Sequence, residues 1–143
     1  MQDESRRKAI DAHIQKDAFA RFMGAEVTIV APGHSRVALT VTHQMTNFHG
    51  MTHGGVVFAL GDLAFAAASN SRGQMAVALN VSICFLNPSK AGDRLVAEAK
   101  ERHLAGPTGL YDITVIEATS GTLIARSQDL VYRKKQWFVA PEG

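Results

Sequence analysis

The sequence predicts an α+β fold: a curved antiparallel β-sheet wrapped around a long central helix, with an N-terminal packing helix. Three observations carry this expectation. The run from Gly54 to Asn70 has helix length and is apolar on every side, interrupted by the single acid Asp62. From Met75 onward, four segments rich in β-branched residues follow one another, separated by turn residues. A helix hydrophobic all round must be buried, and an antiparallel sheet can offer one apolar face, so the sheet is expected to curl about the helix.

Taken in order, residues 5–22 place Ala9, Ile10, Ile14, Ala18, Phe19 and Phe22 at helical spacing with charges between them, which predicts a one-sided surface helix. After Gly24, residues 25–29 and 35–41 read as a hairpin around Ala31, Pro32 and Gly33. The glycine-rich turn NFHGMTHGG then leads into the central helix, which Ser, Asn and Gly close near residues 70–73. The strands MAVALNVSICFL, DRLVAEAKERH, GLYDITVIEA and TLIARSQDLVYRK predict a meander of four strands paired in succession. The tail, residues 134–143, sets a Lys pair beside Trp137 and Phe138 and reads as either a docked end or a partner contact.

Size and composition narrow the functional classes. A length of 143 residues suits one domain, 1–143. No apolar run is long enough to span a bilayer, and MQDESRRKAIDAHIQK lacks the apolar core of a secretory signal, so a cytoplasmic location and no membrane partner are expected. The lone Cys84 forbids an internal disulfide and fits an apolar strand in the core better than a nucleophile. A net charge of +2 gives no argument for nucleic acid. Lys90, Arg94 and Arg102 are weak candidates for phosphate contacts, because scattered surface cations are the rule.

Asp62 is the residue that asks for a reason, since Asp is a poor helix-interior residue and costly to bury unpaired. It reads as a catalytic carboxylate or as a structural acid capped by backbone or paired with arginine. At the helix start, the N–H groups of Gly54 and Gly55 lack intrahelical acceptors and sit at the positive end of the helix dipole, where an oxyanion is stabilised. Eight residues separate Gly54 from Asp62, about 12 Å along a helix, whereas a reacting carbonyl needs donor and base within about 3 Å. Two copies with antiparallel helices across a two-fold axis satisfy both, which predicts an obligate homodimer with composite sites. His49 and His53 read as turn-stabilising; Gly50 and the missing third ligand argue against a metal site, and no cofactor is expected. No serine lies in a G-x-S-x-G turn. Asn80 and Ser82 share one face of their strand, opposite Val81, Ile83 and Phe85, and either line a ligand channel or face solvent.

With NFHGMTHGG, Asp62 and the later segment SICFLNPSKAGDRL, the chain resembles the hotdog-fold acyl-CoA thioesterases over almost its whole length. Similarity is closest to their phenylacetate-degradation (PaaI) subgroup. The resemblance implies that Asp62 is the catalytic carboxylate, Gly54 the oxyanion-hole amide, Asn47 the residue orienting substrate or water, and His53 a support of the turn. Gly55, Phe48, Asn80 and Ser82 are candidate substrate contacts. Ala66 and Ala78 stand where related subgroups carry hydroxyl groups, so the hold on the attacking water stays open. The implied reaction is hydrolysis of an aromatic, phenylacetyl-type or hydroxylated, or medium-chain acyl-CoA by a dimer, with tetramers common in the family. Two alternatives are an acyl-thioester dehydratase or hydratase using His49 or His53 with Asp62, and a non-catalytic acyl-CoA-binding protein.

Overall fold

The computed structural model describes residues 2–141, so the end of the predicted tail, 142–143, lies outside them. Helix α1, Gln2–Ile14, carries Asp3 and Glu4 in its first turn and His13 in its last, each complementing the helix dipole. The predicted single helix over 5–22 is two helices. Asp17 breaks it, because its side chain accepts the Ala20 N–H at 3.0 Å and caps α2, Ala18–Phe22. Ile10 and Ala20 are buried, whereas Phe19 and Phe22 stay exposed, so the apolar spacing overstated what this segment packs.

Strands β1, Glu26–Ala31, and β2, His34–Thr40, form the expected hairpin. Gly33 turns it at φ +71, and a Cβ there would lie 2.9 Å from that of Glu101, so conformation and space both select glycine. Helix α3, Gly54–Ser69, precedes β3, Gln74–Phe85, β4, Arg94–Ala105, β5, Thr108–Glu117, and β6, Leu123–Trp137.

These strands make one antiparallel sheet in the order β1-β2-β4-β5-β6-β3. The predicted four-strand meander is therefore only three strands long. β3 pairs with β6 at the far edge and not with β4, because residues 86–93 cross the start of α3 and are tied there. The Thr52 N–H donates to the Ser89 carbonyl at 2.8 Å, and the Ser89 hydroxyl to Thr52 Oγ1 at 2.7 Å. A connection of that length is a crossover rather than a hairpin turn.

Alanine-rich α3 has high helix propensity and a slim profile that lets the sheet approach closely. Leu60, Leu63, Ala64, Phe65 and Ala68 pack against Val37, Leu39, Leu95, Ala97, Ile113 and Val115. The Ser35 hydroxyl donates to the Ala64 carbonyl at 2.5 Å, and Phe65 meets Tyr111 edge-on at 5.6 Å. Burial of α3 is not complete, however: Gly55, Phe58, Asp62 and Ala66, spaced three or four apart, form an open stripe. Cys84, expected in the core, is exposed on edge strand β3, because strand alternation turns its neighbour Ile83, and not Cys84, toward the core.

The tail is docked. Phe138 stacks on His13 at 4.6 Å, its N–H donates to the Gly73 carbonyl, and Arg6 donates to the Ala140 carbonyl. No helix of the described residues is long and apolar enough to cross a membrane.

Candidate active site

The loop before α3 is built by Asn47. Its Oδ1 accepts the N–H groups of His49 at 2.9 Å and Met51 at 3.2 Å, while its own N–H donates to the Met51 carbonyl at 2.7 Å. Asn suits this turn because its side chain mimics a backbone acceptor. The side-chain oxygen is thus committed to the loop, and only the Nδ2 group is left without a partner among the described residues.

His53 caps α3. Its Nδ1 accepts the Gly55 N–H at 3.0 Å, and its carbonyl accepts the Val56 N–H at 2.9 Å. Both N–H groups lack an intrahelical acceptor as expected, but that of Gly55 is engaged by the cap. The Gly54 N–H has no acceptor among the described residues and keeps the positive end of the helix dipole behind it. Gly54 and Asn47 line one cavity of ≈ 340 Å³, together with Val57, Phe85 and Pro88.

Asp62 lies two turns further along α3, on the open stripe. It lines a different and much smaller cavity, with Phe58, Gly61, Val81, Ile83 and Asp129. Partial burial beside these apolar groups raises its pKa above the ordinary carboxylate range, and the negative Asp17 adds to the rise. One protomer therefore presents the acid and the helix-start donor in separate cavities.

The other candidates are less well gathered. Phe48 is 93% exposed at the loop tip, tilted against His49 at 4.4 Å, and touches neither cavity. Asn80 and Ser82 point away from Asp62: Val81 and Ile83 face the helix, so alternation, set by a bulge between Ala78 and Asn80, puts both polar residues on the outer face. Arg94 pairs with Glu26 at 3.5 Å and Arg102 with Asp112 at 2.6 Å, which engages two of the three candidate phosphate contacts. Among the described residues, no three His, Cys, Asp or Glu side chains are grouped to hold a metal.

Sequence reasoning missed Asp129. It is 1% exposed, and burial raises its pKa to about 6, opposed by the Ser127 hydroxyl and reinforced by Asp62. The available signal was an acid in line with Ala125 and Val131 along β6.

A helix wrapped by a six-stranded antiparallel sheet, entered through a histidine-capped glycine turn and carrying one acid midway, defines a hotdog-fold thioester hydrolase. The chain belongs to the thioesterase superfamily, whose family model matches residues 49–124. It is 43% identical to the acyl-coenzyme A thioesterase PaaI of Escherichia coli over 78% of this chain and 80% of that protein. The solved structure of E. coli PaaI, from the phenylacetic acid degradation operon, superposes with a TM-score of 0.88 at 36% identity, covering 94% of this chain and 96% of that one. A Streptococcus mutans protein solved with bound acetyl CoA matches with a TM-score of 0.73 at 28% identity, over 77% and 88% of the two chains.

Proposed function

We propose that the chain, as one domain spanning 1–143, hydrolyses acyl-CoA thioesters to the free acid and CoA in composite sites between two copies. Asp62 of one protomer is the general base or nucleophile. Gly54 of the other holds the oxyanion, Asn47 beside it positions the thioester through Nδ2, and His53 keeps the turn in shape. The observation that carries this reading is the separation of the parts: an unmatched Gly54 N–H and the Asp62 carboxyl occupy different cavities of one protomer, about 12 Å apart along one helix. An antiparallel second α3 brings each start to the other's middle.

The surface supports a second copy. Phe58 on the open stripe, and Val77, Leu79, Phe85 and Leu86 of edge strand β3 and its end, are each at least 40% exposed. An apolar edge strand left open is an invitation to pairing. Pairing of such dimers into tetramers and a cytoplasmic location belong to the same proposal. The names of the E. coli relative and its operon support a substrate with an aromatic acyl group, phenylacetyl-CoA first among them, over a medium-chain one.

Asp62→Asn tests the assignment. It should reduce release of CoA from phenylacetyl-CoA by at least about a hundredfold, with the dimer intact by gel filtration. Turnover at the wild-type rate would remove Asp62 from the mechanism.

A further inference from the structure

One buried acid remains without a role. Asp129 on β6 is 1% exposed, and its Oδ1 has no hydrogen-bond partner among the described residues. An unmatched carboxylate oxygen that deep is unfavourable, and each such group needs an account. Alternation along β6 turns Asp129 inward with Ser127 and Ala125, toward α3. There it shares the small cavity with Asp62, Gly61 and Phe58 of α3 and with Val81 and Ile83 of β3. That cavity has ≈ 10 Å³ of room, which is about the space of one water, and a held water needs two or more polar partners. Two carboxyl groups supply them.

The charged surroundings are few. Asp62 stands on the same cavity, Arg126 is at its rim, and Asp17 acts on Asp62 from before α2. Tyr111 is the cross-strand neighbour of Asp129 on β5, but its hydroxyl donates to Glu101 Oε1 at 2.9 Å. β3 contributes only apolar side chains to the cavity.

We propose that Asp129 is a second acid of the active site, which with Asp62 seats the attacking water in the cavity between α3 and β6. It supplies the hold that Ala66 and Ala78 cannot. This inference rests on the reading of Asp62 given above and assigns it the general-base role. The water oxygen bonds to the acyl carbon while one of its protons passes to Asp62, and the oxyanion forms at Gly54. The oxyanion then collapses, the C–S bond breaks, and the proton leaves Asp62 for the CoA thiolate. Asp129 accepts the water's other hydrogen and exchanges no proton.

The test compares Asp129→Ala and Asp129→Asn with wild type and Asp62→Asn in the full chain, using phenylacetyl-CoA. In Asp129→Ala, kcat should fall by about tenfold to a hundredfold with KM little changed. Asp129→Asn keeps a water acceptor and should lose less. Its acid limb should lose the contribution of a group titrating at about 6, because Asp129 no longer takes up a proton beside Asp62. Both variants should melt at or above the wild-type temperature at neutral pH, since a buried acid with a raised pKa has been removed. If Asp62→Asn abolishes CoA release while both Asp129 variants keep the wild-type kcat and acid limb, Asp129 has no part in the site. If Asp62→Asn itself retains turnover, the underlying assignment fails. Should the alanine variant not fold, the isosteric asparagine variant decides through its pH profile.

Discussion

His53 Nδ1 accepts the Gly55 N–H at 3.0 Å, and this one bond sorts the donors at the start of α3. With Gly55 engaged, the adjacent Gly54 N–H stands alone at the mouth of the cavity that Asn47 also lines. The histidine is an N-cap through its acceptor nitrogen, and the cap leaves the Gly54 amide as the unmatched one.

Removing that acceptor has a measurable signature. His53→Ala should destabilise the fold by about 1 kcal/mol, as loss of an N-cap does, and lower kcat because Gly55 and Gly54 then compete for the same oxygen. His53→Asp restores an acceptor and should recover the melting temperature. Thermal unfolding of the three proteins checks the ordering, and equal stability of all three contradicts the capping role.

Asp17 should tune the acid limb of the rate profile. Burial first, and then the Asp17 charge, hold the Asp62 pKa above the ordinary carboxylate range, so activity is expected to be lost as pH falls through a value higher than a free Asp would give. Asp17→Asn preserves the α2 cap, for Asn caps as well as Asp, but deletes the charge. The ionised form of Asp62 is then favoured, and the acid limb should move to lower pH. An unchanged limb excludes this coupling.

Glu98 is a stability element away from the site. Burial opposes its ionisation, yet hydrogen bonds from His34 at 2.9 Å and Arg36 at 2.8 Å, with Lys100 nearby, prevail and hold its pKa at about 2. A lowered folded-state pKa contributes stability above the unfolded value, near 4.5, and loses it as pH falls toward 2. Glu98→Gln should therefore cost on the order of 2 kcal/mol at pH 7 after screening and nearly nothing at pH 2. Denaturant unfolding at the two pH values checks it.

The central helix and its acid were legible because composition, cap signals and one misplaced charge all lie within sixteen contiguous residues. The place of β3 was not, since pairing with β6 depends on the tie between Thr52 and Ser89 across the crossover, which no local pattern encodes. Asn80 and Ser82 share a strand face as expected, but a bulge decides which face, and bulges leave little trace in sequence. Asp129 escaped for a similar reason. Along β6 the inward set Ala125, Ser127, Asp129 and Val131 is scarcely more apolar than the outward set Arg126, Gln128, Leu130 and Tyr132, so period-two alternation does not say which faces in.

The most direct test of the composite site mixes two inactive proteins. Asp62→Asn removes the proposed base, and Asn47→Asp keeps the loop acceptor for His49 and Met51 while losing the Nδ2 donor. Unfolded and refolded together in equal amounts, half the dimers are heterodimers, each with one site built from an intact Asp62 and an intact Asn47. Phenylacetyl-CoA hydrolysis should return to about a quarter of the wild-type rate by that statistics. A mixture no more active than its two components would contradict a site shared between copies.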